Sequence, residues 1–260
     1  ETDQIQAQIA RLNTLSLRCF WKITTKQTSD SSVFLDRPSA IEDEMLRLST
    51  SILDSKKDAP QIGVVTDALA TPYKVIKRAQ IKPGETVAIF GAGGGLGIHQ
   101  IMLAKWAGAR VIAVDTDTDK FGACVGAGAD ETLDPKNIDI VEALHDLTRG
   151  GVDVSIDYVS STSTIEASIK ALGPHGRMVT LGGAGENFKA NAKTLLLQEQ
   201  SILGSRYVTR SEIIETLELC ARREIWPLVT VVKTLDEAEE LHELLEKGKV
   251  TGRAALKISE

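Results

Sequence analysis

The sequence has few of the residues that stabilise disulfide-linked proteins. Its 260 residues include only three cysteines, Cys19, Cys124 and Cys220, which lie far apart. An odd number at such wide spacing gives neither a disulfide framework nor a cluster of metal ligands. Unpaired thiols suit a reducing compartment, so we expect a cytoplasmic protein.

An excess of basic charge and long apolar runs are missing as well. The net charge is −6 at pH 7, which leaves no basic footprint for a nucleic acid. No apolar stretch has the length of a membrane span, and the first residues lack the apolar core of a signal peptide. We therefore expect neither a nucleic-acid partner nor a membrane partner. The remaining composition, 42% hydrophobic and 25% charged residues, is that of an ordinary globular protein with an ample core.

A glycine-rich stretch lies between two short apolar runs in residues 86–115. The first run, residues 86–90, predicts a buried parallel strand, and the glycine turn GAGGGLG follows it. Residues 98–107 then continue as a helix, and residues 110–114 form a second strand that ends in Asp115. This order of strand, glycine turn, helix, strand and acid is typical of a dinucleotide-binding βαβ unit.

Each part of this unit has a chemical role. The helix begins inside the turn, so its unpaired N–H groups and positive dipole end face a pyrophosphate. Asp115, eighteen residues beyond Gly97, can accept hydrogen bonds from an adenosine ribose. A 2′-phosphate would meet like charge there, which costs about 4 kcal/mol per charge pair at about 4 Å and an effective dielectric near 20. The sequence therefore favours NAD over NADP.

The glycine spacing departs from the strict dinucleotide fingerprint. No Gly-x-Gly-x-x-Gly can be drawn through the turn, whereas Gly91-x-x-Gly94-x-x-Gly97 and Ala92-x-Gly94-x-x-Gly97 both fit. A tight turn that packs a helix on a sheet without any ligand is the alternative interpretation. The complete βαβ context and the acid at its end favour the ligand.

The rest of the chain divides into a short N-terminal region and one larger unit. Residues 1–60 show helical spacing at Ile5, Ile9 and Leu12, and we expect a helical region that docks on the main domain or on a second subunit. Residues 61–260 alternate strands with helices, which predicts an α/β fold with a doubly wound parallel sheet, the Rossmann type. The further strands are predicted at residues 131–133, 152–158, 177–181, 201–204, 228–232 and 253–258.

Short motifs spread over residues 62–260 carry a family resemblance. They are Ala70-Thr71-Pro72-Tyr73, Ile81-Lys82-Pro83-Gly84-Glu85-Thr86-Val87, the Gly91–Gly97 turn, Val114-Asp115, Lys120, Gly126-Ala127-Gly128-Ala129-Asp130, Gly173-x-x-Gly176-Arg177, Leu181-Gly182 and Gly248-Lys249-Val250-Thr251-Gly252-Arg253. Together they resemble the medium-chain dehydrogenase/reductase superfamily, the zinc-type alcohol dehydrogenases in particular. The resemblance implies an NAD-dependent oxidoreductase that transfers hydride between nicotinamide and a small alcohol or carbonyl substrate. A non-catalytic NAD(H)-binding module, or a scaffold derived from such an enzyme, is the alternative, and we expect a homo-oligomer.

The resemblance also implies which residues contact the cofactor. The turn would hold the pyrophosphate, Asp115 and Lys120 the ribose, and Arg253 the phosphates. The alternative for Lys120 and Arg253 is a solvated surface charge. Tyr158 and Val159 would line the adenosine or ribose side. The complete implied set is Gly91, Gly93, Gly94, Gly95, Leu96, Gly97, Asp115, Lys120, Tyr158, Val159, Leu181, Gly182, Ser205, Tyr207 and Arg253.

The zinc half of the family's machinery is not visible in the sequence. Members of the family begin with a GroES-like domain that supplies zinc ligands, yet neither Gly-His-Glu nor Cys-x-x-Asp-x-x-His occurs here, so we expect that domain to be missing or replaced. Asp67 falls at the place of the third zinc ligand, and its alternative role is a cap for a helix over residues 68–79. A catalytic zinc needs three protein ligands, so zinc binding would require ligands from outside this chain, and the catalytic residues stay unassigned. Without that domain, the strands at 228–232 and 253–258 need another partner or present open edges, and we expect residues 1–60 or a second subunit to cover them.

Overall fold

A computed structural model describes Arg47, residues 59–182 and residues 187–257 of the chain. Almost all of the region predicted to be helical, residues 1–60, lies outside the described residues. The division of the chain near residue 60 therefore stays a prediction.

The described chain begins with a helix that changes its pitch midway. Helix α1 (Ala59–Val64) runs into a π-helical turn (Val65–Leu69), and α2 (Ala70–Ala79) continues from it. Pro72 lies in the first turn of α2. A proline has no N–H group and its ring crowds the carbonyl of the preceding turn, and the wider π-helical turn just before it relieves that crowding.

A six-stranded parallel sheet forms the centre of the molecule. Its spatial order is β3-β2-β1-β4-β5-β6, and every neighbouring pair is parallel. This order confirms the predicted doubly wound Rossmann fold. The strands are β1 (Thr86–Phe90), β2 (Arg110–Val114), β3 (Glu131–Leu133), β4 (Val152–Asp157), β5 (Leu172–Thr180) and β6 (Ser201–Gly204).

Helices cover both faces of this sheet. Val87 and Ile89 of β1 face one hydrophobic core, while Ala88 and Phe90 face the other. Burial on both faces explains why β1 reads as a continuous apolar run rather than an alternating one. Within residues 59–182 and 187–257, no helix is long and apolar enough to cross a membrane. The helices are α3 (Gly97–Trp106), α4 (Phe121–Gly126), α5 (Ile140–Thr148), α6 (Thr162–Lys170), α7 (Ala192–Gln198), α8 (Arg210–Ala221) and α9 (Ala238–Glu246), with 3₁₀ turns at Thr118–Lys120 and Leu235–Glu237.

The last two strands form a small sheet of their own. β7 (Val229–Thr234) and β8 (Arg253–Lys257) pair in parallel, and α9 connects them. In the part of the chain that the structure describes, these strands pair only with each other. Helix α1 lies beside both strands, so the start and the end of the described chain meet next to the glycine turn.

Candidate functional site

The glycine turn leaves the carboxyl end of β1 and leads directly into α3. Gly91 has a φ of +74°, a left-handed conformation that favours glycine, and its N–H donates to the Val114 carbonyl at 2.9 Å. A Cβ at Gly97 would overlap the Gly91 carbonyl oxygen and lie 2.7 Å from Ala92 Cα. The helix therefore starts as close to the strand as backbone contact allows. Its N-terminus lies at the carboxyl end of β1 beside β4, where the strand order reverses and an open α/β sheet forms its crevice.

Asp115 ties the turn to the end of β2. Its Oδ2 accepts the Gly93 N–H at 2.8 Å, and its Oδ1 accepts the Asp117 N–H at 3.0 Å. A carboxylate oxygen can accept more than one hydrogen bond, so both oxygens keep a lone pair for a ligand hydroxyl. Asp115 thus stabilises the turn and can still accept a hydrogen bond from a ligand.

Lys120 lies along the turn rather than in solvent. Its side chain is only 12% exposed, and its Nζ is 3.6 Å from Asp117 Oδ2. A Cβ at Gly93 would come within 2.7 Å of the Lys120 stem. The lysine stem therefore needs glycine at position 93, and Lys120 is not a solvated surface charge.

The loop after β4 forms the next wall of the crevice. Asp157 Oδ1 accepts the N–H groups of Val159 and Ser160, at 2.8 and 2.9 Å, which fixes the path of this loop. Val159 is 49% exposed and stands against Gly91. The Tyr158 hydroxyl points elsewhere, because it donates to Gln100 Oε1 on α3 at 2.7 Å, and burial raises the pKa of Tyr158 well above its ordinary value. Val159 can therefore touch a ligand, whereas the Tyr158 hydroxyl is already engaged by Gln100.

The loops after β5 and β6 continue the same edge of the sheet. The Gly182 N–H donates to Ser160 Oγ at 2.8 Å, and the Leu181 N–H donates to the Asp157 carbonyl at 3.2 Å. Ser205 Oγ is buried without a hydrogen-bond partner among the described residues, and Tyr207 has a φ of +46°. All the residues implied by the resemblance after β1, β2, β4, β5 and β6 thus lie at the carboxyl edge of one sheet, where open α/β folds bind their ligands.

Arg253 reaches the turn from the small sheet. A Cβ at Gly95 would lie 2.8 Å from both Cδ and Nε of Arg253, so the arginine stem covers that glycine. The backbone supports this position, because the Arg253 N–H donates to the Leu228 carbonyl at 3.1 Å and the Gly252 N–H donates to the Gly93 carbonyl at 3.4 Å. Arg253 therefore packs against the glycine turn, while its contact with the cofactor phosphates stays a prediction.

His99 links the glycine turn to Leu228 through hydrogen bonds, a role that the sequence did not predict. The ring is fully buried, with Nδ1 2.6 Å from the Gly95 carbonyl oxygen, and Nε2 accepts the Leu228 N–H at 2.9 Å. These partners assign the hydrogen to Nδ1 and a neutral ring. Burial lowers the pKa of His99 to about 4, against a smaller opposing effect of the Gly95 hydrogen bond. A histidine two residues beyond the turn was the only signal in the sequence.

Asp67, at the position of the family's third zinc ligand, has both carboxylate oxygens engaged. Oδ1 accepts from Thr71 Oγ1 at 3.1 Å, and Oδ2 accepts from Arg253 Nη2 at 2.7 Å. The predicted cap is wrong, because Asp67 lies inside the π-helical turn and makes no side-chain capping bond to a helix. No three His, Cys, Asp or Glu side chains come together in residues 59–182 and 187–257, so this donor set does not fit a catalytic zinc ion.

Comparison with known proteins gives one consistent group of relatives. Residues 95–222 match the family model of the zinc-binding dehydrogenases. The chain is 32% identical over 200 residues to an NAD-dependent alcohol dehydrogenase of Sulfurisphaera tokodaii, covering 76% of this chain and 58% of that protein. It is also 32% identical over 203 residues to an alcohol dehydrogenase of Geobacillus stearothermophilus, covering 78% of this chain and 59% of the relative.

Solved structures agree with the sequence relatives. The alcohol dehydrogenase of the hyperthermophilic archaeon Aeropyrum pernix is similar with a TM-score of 0.72 at 33% identity, over 78% of this chain and 59% of that one. The chain thus spans somewhat under three fifths of the length of these relatives. Fold, glycine turn and sequence similarity lead to the same assignment: the chain belongs to the medium-chain dehydrogenase/reductase superfamily and carries its Rossmann domain.

Proposed function

We propose that this chain is the cofactor-binding part of an NAD-dependent oxidoreductase of the medium-chain alcohol dehydrogenase type. The reaction would be hydride transfer between nicotinamide and a small alcohol or carbonyl substrate. The observation that carries the proposal is the glycine turn fastened to Asp115 by the 2.8 Å bond from Gly93, at the carboxyl edge of a Rossmann sheet. The names of the relatives, NAD-dependent alcohol dehydrogenases, support the same cofactor and reaction class.

The cofactor would lie across the crevice with its diphosphate on the turn. There the first N–H groups of α3 and its dipole favour negative charge. Asp115 and Lys120 would contact the adenosine ribose, Val159 would face the adenosine side, and Arg253 would face the phosphates. When bound, the nicotinamide supplies the redox chemistry, and the chain supplies binding and orientation. The residues after β5 and β6 that would lie along the nicotinamide are Leu181, Gly182, Ser205 and Tyr207.

Asp115 makes the proposal specific for NAD over NADP. Asp115→Ala should weaken the binding of both NADH and NADPH, because the turn loses its acceptor for the Gly93 N–H. The binding of NADPH should weaken less, because the like charge is gone. Asp115→Asn keeps an acceptor oxygen and isolates the charge effect. Asp119→Asn removes a charge from an exposed position nearby and is the matched control. An unchanged ratio of NADH to NADPH dissociation constants in both Asp115 variants would show that this carboxylate does not determine the preference.

A non-catalytic NAD(H)-binding module, or a scaffold derived from such an enzyme, is the second candidate. It is favoured by the engagement of Asp67 with Arg253 and by the lack of a three-ligand cluster in the described residues. Catalysis with a metal would need donors other than those that the structure describes. The oxidoreductase and the binding module share the cofactor site and differ in turnover, whereas a scaffold need not bind the cofactor.

Two assays test the proposal in sequence. Titration of NADH fluorescence should give a dissociation constant well below millimolar, and binding weaker than that would refute the oxidoreductase and the binding module and leave the scaffold. Absorbance of NADH formed from NAD with a panel of primary and secondary alcohols, with and without added zinc, then separates them. Turnover supports the oxidoreductase, whereas tight binding without turnover supports the binding module.

We further propose a cytoplasmic homo-oligomer that binds neither nucleic acid nor membrane. Buried free thiols at Cys124 and Cys220 support a reducing compartment. Strand β6 ends the sheet with the uncharged sequence SILG, and Leu196 and Leu197 on the adjacent helix are 75% and 67% exposed. An uncharged edge strand beside exposed leucines is suited to pairing with another copy. Light scattering of the wild type should give a multiple of the chain mass, and Leu196→Asp should shift it toward the monomer.

A further inference from the structure

Two charged side chains 186 residues apart meet above the glycine turn. Asp67 lies in the π-helical turn at the start of the described chain, and Arg253 is the first residue of β8. Arg253 Nη2 donates to Asp67 Oδ2 at 2.7 Å, with the side chains 31% and 43% exposed. This contact lies at the open side of the crevice and not in the core, so a ligand on the turn would be next to it.

The carboxylate of this pair is itself held in place. Thr71 is only 4% exposed, and its Oγ1 donates to Asp67 Oδ1 at 3.1 Å. The helix geometry brings these two residues together, because they are four positions apart. The carboxylate therefore has one oxygen fixed by its own helix and the other presented to Arg253.

The guanidinium that Asp67 holds keeps unused hydrogen-bonding capacity. Its Nε is buried over Gly95 and has no hydrogen-bond partner among the described residues. An unpaired buried donor is costly unless a further group satisfies it. A guanidinium binds phosphate oxygens well, and Gly95 lies within the glycine turn.

We propose that Asp67 is a positioning residue, which fixes the Arg253 guanidinium over Gly95 ready for a diphosphate, and that it is not a metal ligand. A free arginine side chain has many rotamers to lose, and a side chain ordered in advance loses less entropy on binding. Asp67 also keeps the charge of the site balanced before the ligand arrives. The identity of the ligand rests on the proposed function, whereas the role of Asp67 has its own test.

The test compares two probes that differ in the diphosphate. ADP-ribose carries it and adenosine does not, and the dissociation constants of both are measured by calorimetry on the full chain. We expect Asp67→Asn to raise the dissociation constant of ADP-ribose about fivefold to tenfold and to leave that of adenosine unchanged. The reason is that part of the ordering of the Arg253 side chain must then occur on binding. In an Arg253→Gln background, Asp67→Asn should have no further effect. Glu239→Gln, which removes a carboxylate from exposed α9, is the matched control.

Each alternative outcome has its own meaning. Equal weakening of both probes, or an effect that adds to Arg253→Gln, would overturn the positioning role and leave cofactor binding intact. Wild-type protein that binds NADH and ADP-ribose only above millimolar would overturn the proposed function and the ligand named here. Should Asp67→Asn fail to fold by circular dichroism, Thr71→Val removes only the supporting bond, and about twofold weaker ADP-ribose binding is expected. Zinc bound after dialysis, measured by mass spectrometry, should be the same in wild type and Asp67→Asn, and loss of one equivalent would overturn the proposal.

Discussion

The buried, neutral His99 should make the stability of this domain depend on pH in a way that one substitution removes. In the folded state burial lowers the pKa of this histidine from 6.5 to about 4. The folded protein therefore keeps the ring neutral at pH values where the unfolded chain takes up a proton. Because the unfolded state binds more protons there, the free energy of unfolding must fall as the pH falls below about 6.5.

The size of the effect follows from the shift. One pKa unit corresponds to about 1.4 kcal/mol, so a shift from 6.5 to about 4 contributes about 3 kcal/mol that is fully present above the unfolded pKa. The contribution is lost progressively and is gone below about pH 4. Between about pH 7.5 and pH 5.5 the loss should be about 1 kcal/mol. No solvent screening reduces it, because the ring is fully buried.

Urea unfolding of wild type and His99→Gln at constant ionic strength measures this contribution. His99→Gln should be less stable at pH 7.5, since one of the bonds to Gly95 and Leu228 is lost, but its deficit should shrink by about 1 kcal/mol by pH 5.5. Titration of other groups cancels in the comparison. His242→Gln, on the exposed face of α9, is the control and should run parallel to the wild type. Parallel curves for His99→Gln as well would refute a buried neutral ring at this position.

Two further substitutions test the packing around the site. Gly97→Ala should destabilise the protein by at least about 2 kcal/mol in urea unfolding, because the new Cβ overlaps the Gly91 carbonyl, whereas Gly122→Ala on α4 meets open space and should be neutral or stabilising by up to about 1 kcal/mol. Arg177→Met should cost about 2 to 3 kcal/mol at pH 7, because it leaves the half-buried Glu85 carboxylate without its two hydrogen bonds from Arg177 at 3.0 and 2.8 Å. Burial raises the pKa of Glu85, but the hydrogen bonds and charge of Arg177 and the Lys82 N–H together outweigh it and lower the pKa, so this stabilisation is present above the ordinary pKa and disappears in acid. Equal stability of Arg177→Met and wild type at neutral pH would contradict the ion pair.

The central strands were predictable because burial on both faces leaves a simple pattern. β1, β2, β3 and β6 have the bounds that their short runs predicted. β5 begins at Leu172, five residues before its expected start at Arg177, and its pairing with β4 shifts register in that interval. Gly173 and Pro174 fall in this irregular stretch, where neither residue type indicates a strand.

Helix α7 was not predicted because it buries none of its residues and therefore leaves no simple pattern in the sequence. Its sequence, AKTLLLQ, has three consecutive leucines and no helical period, so it resembles a strand as much as a helix. None of its residues is buried, and Leu196 and Leu197 face solvent in the described chain. A helix that buries no apolar stripe leaves no periodic signal, although its Asn191 cap accepts from two N–H groups.

The part of the site that lies within one βαβ unit was predictable, and the part made by distant contacts was not. Asp115 and Gly93 are 22 positions apart in one unit, and a known motif spacing brings them together. Asp67 meets Arg253 across 186 positions, and His99 meets Leu228 across 129. Spacing says nothing about such pairs, so the sequence alone indicates only a metal ligand or a cap at Asp67.

These distant contacts all reach the glycine turn, and they show how the small sheet of β7 and β8 contributes to the site. His99 bonds to the Gly95 carbonyl and to the Leu228 N–H, while the Leu228 carbonyl accepts the N–H of Arg253. The stem of Arg253 then returns to cover Gly95. The contacts form a closed circuit through the turn, α3 and the ends of β7 and β8. Any change that moves β7 and β8 must therefore move both the arginine above the turn and the histidine partner below it, so the small sheet acts as part of the candidate cofactor site although it lies outside the Rossmann sheet.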